Sequence, residues 1–267
     1  IARSFLKIAT ATGSVKKVRF EHKAVRAQSA QRALFGKELC RFTASPNYML
    51  NCGLGILMLP VAGVVLLIKG GALGQLLEDV FGANAGVVPV LMCAAVCLLA
   101  SMNDMAAPSV SLEGKSLWLA QSLPVVPWQV LRAKLDVQLV LTGAPVLFCA
   151  LCMVIVLPGG ALEKVLTVVV ALLYTLLSAL AALAFGLKMP NLTWTNEITP
   201  IKQSGCVMLS LFANWFYAIA LGGLYFLCGN VLSAAAYLAI FAVVTAAGSA
   251  LLLRWVKQRG TRIFAAL

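Results

Sequence analysis

Six apolar runs, each near the ~20 residues a helix needs to cross a bilayer, follow one another at 50–68, 85–102, 137–157, 165–187, 206–228 and 231–253. Hydrocarbon offers no partner for a bare N–H or C=O, so each run must satisfy its backbone internally. None alternates with the two-residue period of a barrel strand. The chain therefore reads as an all-α integral membrane protein with six transmembrane helices. Its 61% hydrophobic and 11% charged residues, against roughly half and a quarter in soluble domains, exclude an ordinary water-soluble enzyme. The pair Gly229-Asn230 makes the last two runs antiparallel neighbours.

Charge orients the bundle. There are 21 Lys and Arg against 9 Asp and Glu. Ten of the basic residues precede the first run, among them Lys37 and Arg41. Lys115, Arg132 and Lys134 lie between the second and third runs, and Lys188 and Lys202 between the fourth and fifth. Arg254, Lys257, Arg259 and Arg262 follow the last, leaving only Lys69 and Lys164 for the opposite side. Under the positive-inside rule both termini face the cytoplasm, which implies a multi-pass protein of the plasma (inner) membrane. The net charge of +12 suits an anionic lipid surface, and no nucleic acid partner is expected.

Between the runs, two segments carry structure. Residues 29–43 predict a short helix, with Phe35, Leu39 and Phe42 on one face and Lys37 and Arg41 on the other. Such a helix either lies in the headgroup layer or is a solvated connector that Gly36 weakens. Ser45 and Pro46 end it. The loop from Ser101 to Lys134 is too apolar to be unstructured. Leu112, Leu119 and Leu123 share a helical stripe with Trp118 beside it; Pro124 ends that helix and Pro127 starts another at its first turn. The first of these helices either offers a docking surface or packs flat on the membrane interface.

The string Ser111-Leu112-Glu113-Gly114-Lys115-Ser116-Leu117-Trp118-Leu119-Ala120-Gln121-Ser122-Leu123-Pro124-Val125 resembles the signature of type-2 ABC exporter permeases of the bacterial putative-exporter group, and Lys134-Leu135 fits its continuation. A second stretch, Pro190-Asn191-Leu192-Thr193-Trp194-Thr195-Asn196-Glu197 followed by Ile201-Lys202-Gln203-Ser204, is similar to that group's Trp-Glu-Asn-Glu motif with its trailing Lys-Gln. Lys37-Glu38-Leu39 and the tail ending in Phe264 also fit. Gln121 and Thr195 depart from the pattern, standing where a Lys and a Glu are common.

The resemblance implies a six-helix permease half, with an interfacial connecting helix over 29–48, a membrane domain over 49–253 and a basic tail over 254–267. Its loop 103–135 would carry the coupling helix that sits on a separate ABC ATPase subunit. Glu113, Gly114, Lys115, Trp118, Ser122, Leu123 and Pro124 would then form the ATPase contact. Trp194, Asn196, Glu197, Lys202 and Gln203 would form a second cytoplasmic motif. ATP and Mg would be held by the partner, with no cofactor on this chain. A second six-helix half, upstream or on another subunit, would complete the path. Residues 1–28 would be an internal basic linker, in keeping with Ile1 in place of Met.

Other signals are weaker. Gly114-Lys115-Ser116 imitates the end of a phosphate-binding loop, but Ser109 stands where its first Gly belongs. Cys149 and Cys152 make a CxxC with no His or second pair nearby, so small hydrophobic behaviour is expected rather than metal binding. His22 has no nucleophile motif around it. The sequon at Asn191 would be cytoplasmic and unused. Inside the runs, Asn214, Gln138 and Thr142 are candidates for a translocation path or for interhelical hydrogen bonds. Asp136 and Glu163 lie at span edges, and no carboxylate relay of the proton-coupled kind is evident, which weakens an ion- or proton-coupled transporter as the alternative. A non-transporting membrane scaffold is the other. Stripes of small residues, Ser178, Ala182 and Gly186 and then Ala235, Ala239 and Ala242, are suited to close helix packing; Pro89 and Pro145 are candidate kinks.

Overall fold

A computed structural model describes residues 28–81, 86–156, 160–229 and 231–267. The linker 1–27 with His22, and Asn230 of the last hairpin, lie outside them. The described residues are helical, with no strand among them. A short pair, α1 (Ala30–Ala44) and α2 (Pro46–Cys52), leads into the long α3 (Leu54–Phe81). Ser45 starts α2: its Oγ accepts from the Tyr48 N–H and Pro46 occupies the first turn. Next come α4 (Val87–Ala100), the one-turn α5 (Ala106–Ser109), a 3-10 turn (Ser111–Ser116) and α6 (Leu117–Ser122). The helices α7 (Pro127–Val156), α8 (Ala161–Lys188), α9 (Ile198–Lys202), α10 (Gly205–Cys228) and α11 (Ala234–Trp255) follow. A π-helical turn (Val256–Gly260) and α12 (Thr261–Ala266) carry the tail on as helix.

Among the described residues five helical segments are long and apolar enough to cross a membrane, where the sequence reading expects six. The difference is α4. Fourteen residues rise about 21 Å at 1.5 Å each, short of a ~30 Å hydrocarbon core. Its C-terminal end is set by tertiary bonds. Asn103 bridges to Gly53, Gln138 Nε2 donates to the Asn103 carbonyl at 3.0 Å, and the Asp104 N–H donates to the Cys52 carbonyl at 3.1 Å. Backbone groups held in this way leave the helix. Pro89 falls in the first turn of α4, where a missing N–H breaks no helical bond, so it is no kink. Pro145 lies inside α7, and Pro60 inside α3.

At the centre of the bundle is α8, with 56% of its most apolar stretch buried against 17% for α3. The stripe Ser178, Ala182 and Gly186 is buried there. A Cβ on Gly186 would collide with the Ala107 carbonyl, so this glycine lets α5 lie on α8. On α11 the packed face departs in part from the expected alanine stripe: Ala242 is buried together with Tyr237, Leu238, Thr245 and Ser249, whereas Ala235 and Ala239 are only partly so. Tyr237 donates to the Leu221 carbonyl at 2.8 Å, and the Tyr217 and Thr245 hydroxyls are 2.6 Å apart. These bonds need bulk and a polar tip.

Candidate functional site

At 30 residues α7 is about 45 Å long, more than a hydrocarbon core requires, so its first turns extend past the apolar stretch. Lys134 is in these turns. Against them lies α1, whose Lys37, Glu38 and Arg41 fall within four residues and so on one side of the helix. The 3-10 turn adds Glu113 between the two.

The result is a five-charge cluster with Glu38, Glu113 and Lys134 buried and Lys37 and Arg41 partly exposed. Lys134 Nζ donates to Glu113 Oε1 at 2.7 Å, Glu38 Oε1 at 2.9 Å and the Ser109 carbonyl at 3.1 Å, using all three of its donors. Glu113 also accepts from Arg41 at 2.7 Å and from Lys37 at 3.0 and 3.2 Å. The side chains of Lys134 and Glu113 are 0% and 1% exposed. Desolvation by itself would raise the Glu113 pKa. Lys134 and Arg41 outweigh it and hold the carboxyl well below the usual carboxylate range. Arg41 likewise keeps its charge despite burial, held by Glu113 and Glu38. The expected face of Lys37 and Arg41 is thus turned to Glu113 instead of being left to headgroups or water.

Gly114 breaks the expected helix. Its φ of 51° and ψ of −134° are open to glycine and strained for other residues. The segment therefore divides into the 3-10 turn and α6, and the Leu112, Leu119, Leu123 stripe is lost: Leu112 is buried, whereas Leu119 and Leu123 are exposed. Trp194 closes over the turn. Its indole Nε1 donates to the Ser111 carbonyl at 2.6 Å, and a Cβ on Gly114 would meet that ring at 3.2 Å. The Asn191 N–H donates to Ser111 Oγ at 3.0 Å. The two sequence motifs thus form one unit around a recess of about 490 Å³, lined by Arg41, Leu112, Glu113, Lys115, Ser116, Trp194 and Thr195.

The other candidate residues are spread around this unit. Glu197 accepts from Ser45 Oγ at 3.1 Å, and Asn196 Oδ1 accepts from the Ile198 N–H. Lys202 and Gln203 are exposed. Trp118, at 66% exposure, and Leu119, Leu123 and Val126 leave an apolar surface on and after α6. Ser122 and Pro124 are exposed beside it. Gln121 Nε2 donates to the Phe264 carbonyl at 2.8 Å, tying α6 to the tail. Gln138, Thr142 and Asn214 belong to a separate buried polar region. All eight cysteines are free, and among the described residues no cluster of His, Cys, Asp and Glu is arranged to hold a metal.

Glu38 enters the sequence reading through the family resemblance alone, Lys37 and Lys134 also as positive charges that orient the bundle, and their common partner Glu113 is expected on an ATPase surface. The signal that could have found the cluster is a lysine and a glutamate inside otherwise apolar helical faces, since such charges are buried only when paired. No protein family, curated protein or solved structure matches the chain.

The latch carries its own prediction. Trp194→Phe keeps the ring but deletes the donor to Ser111, at a cost of about 1 kcal/mol. The expected outcome is faster amide exchange at Asn191 and over residues 111–114, with exchange in α7 unchanged.

Proposed function

We propose that the chain is the membrane-spanning permease of an ATP-driven ABC exporter, receiving work from a separate ATPase subunit on its loop between α4 and α7. One observation carries the reading: the buried carboxylate of Glu113 joins the loop that bears α6 directly to α1 and α7 through ion pairs. A force on α6 is passed to α7, which contains one of the five membrane-length helical stretches. A rigid connection of this kind is what coupling requires, because packed elements shift between discrete arrangements instead of deforming continuously.

The exposed Trp118, Leu119, Leu123 and Val126 supply the contact. Buried aromatic anchors dominate binding energy at protein interfaces, and α6 is held between the 3-10 turn and the tail, so little freedom is lost on docking. The charge-derived topology puts this surface in the cytoplasm, where an ATPase would meet it. Residues of the chain's own provide no nucleotide-binding loop.

Trp118→Ala tests the contact. The side chain is largely outside the fold, so insertion and thermal stability should be unchanged. Loss of a hot-spot residue of about 2 kcal/mol weakens ATPase binding roughly 30-fold. The expected result is an ATPase subunit that co-purifies with the parent chain in mild detergent and is largely lost from the variant. Equal recovery with both would overturn the assignment of this surface.

A further inference from the structure

A second polar region lies beside the charge cluster, and no part of the coupling reading uses it. Asp104, in the connection between α4 and α5, is 4% exposed, and neither of its carboxylate oxygens makes a well-formed hydrogen bond, Ser210 and the Ala107 N–H being the polar groups turned toward it. The Asn103 amide, Thr142 Oγ1, Ser210 Oγ and Asn214 Nδ2 are likewise buried and unpartnered. Gln138 and Thr142 are one turn apart on α7, and Ser210 and Asn214 one turn apart on α10, each pair on a buried face. The backbone around Asp104 is pinned. Its own N–H donates to the Cys52 carbonyl, Tyr48 donates to the Met105 carbonyl at 2.6 Å, and the Ala106 N–H donates to Gln138 Oε1 at 2.7 Å.

The titratable groups near this carboxyl are Tyr48 and Cys52 of α2, Tyr174 of α8 and Cys206 of α10. None is a cation, and Lys134 has all its donors committed elsewhere. A buried carboxylate without a positive partner is costly, whereas the neutral acid is not. The orphaned groups choose between ligands. A metal ion would use the oxygens but leave the two amide NH₂ groups, Asn103 Nδ2 and Asn214 Nδ2, without acceptors. Water together with a carboxylic acid, which both donates and accepts, satisfies the whole set.

We propose that Asp104 is a proton-binding site, its carboxyl neutral in this buried state and releasing one proton to water within the polar region it shares with Asn103, Thr142, Ser210 and Asn214. The step is a plain acid dissociation: the carboxyl O–H bond breaks, water takes the proton, and the charge remains on Asp104. Burial raises the carboxyl to about 7, with Ser210 and the Ala107 N–H opposing it. The site therefore changes charge in the neutral range, whatever powers the protein.

Infrared difference spectra of the full chain in lipid nanodiscs, between about pH 5.5 and about pH 8.5, test this without a partner subunit. A protonated-carboxyl C=O band that disappears with a midpoint near 7, and is absent from Asp104→Asn, is the expected result. Ser210→Ala removes a group that favours the charged form, so its midpoint should move up, giving a second reading should Asp104→Asn fail to fold. Stability follows the same sign. The unfolded carboxyl titrates near pH 3.9, so the folded state binds the extra proton between there and about 7, and Tm falls with rising pH over that interval. Above about pH 5.5 Glu113 is ionised in both states and adds no slope, so the fall is read between there and about 7. A wild-type spectrum without a titrating band, a band that persists in Asp104→Asn, or a midpoint displaced by sodium or potassium would overturn the proposal, the last by showing a cation site.

Discussion

Glu113→Gln is expected to be the most damaging single substitution in the loop. It leaves Lys37, Arg41 and Lys134 facing Glu38 alone, with Lys134 fully buried. Removing one partner from a buried ion pair costs about 3–5 kcal/mol, because the remaining charge is uncompensated. The measurement is thermal unfolding of the purified chain in lipid. Lys134→Met should cost less, since Lys37 and Arg41 still balance the two glutamates. The double substitution should be milder than the sum of the single ones. Additive effects would mean that the five residues do not act as a unit. The pH dependence follows from the depressed Glu113 pKa. Its contribution is complete above the unfolded carboxylate value near 4.3 and is lost as pH falls through the lower folded value, so the cluster fails only in strong acid.

The second large effect is at Gly114. Any Cβ there costs about 1–3 kcal/mol in backbone strain and presses on the Trp194 ring. Gly114→Val is expected to open the turn, release Trp194 from Ser111 and separate α6 from the charge cluster. Limited proteolysis should then cut between residues 111 and 118 at rates well above those of the parent chain. Gly36→Ala is the contrast. Gly36 is in α1 with nothing within 4 Å of a Cβ, so that change should stabilise the chain by about 0.5–1 kcal/mol. Equal effects of the two would remove the special role of the turn.

What could be read from sequence divides along physical lines. The membrane character, the helix before the first run and the helix start at Pro127 rest on local pattern, since hydropathy and proline chemistry act over a few residues. The structure places helices at Ala30–Ala44 and from Pro127 accordingly. The helix expected over Leu112 to Pro124 fails at Gly114, because periodicity is blind to a positive φ imposed by a ring 80 residues away. The second run is apolar enough by composition, but its described helix ends at Ala100, since Gly53, Cys52 and Gln138 take up the backbone of Asn103 and Asp104 just beyond it. Glu38 and Lys134 bond across 96 residues, and no local window contains both. Asp104 was passed over because it stands just outside an apolar run. Its burial comes from α2, α7 and α10 closing around it, which only the assembled fold displays.

The central claim is that α6 and its tryptophan face the cytoplasm, within reach of an ATPase. Trp118→Cys in a Cys40→Ser, Cys228→Ser background, treated in intact cells with a membrane-impermeant thiol reagent, tests it most directly, because residue 118 is exposed and the other native cysteines are buried. The account predicts no labelling in intact cells and full labelling once the membrane is permeabilised. Labelling in intact cells would contradict it.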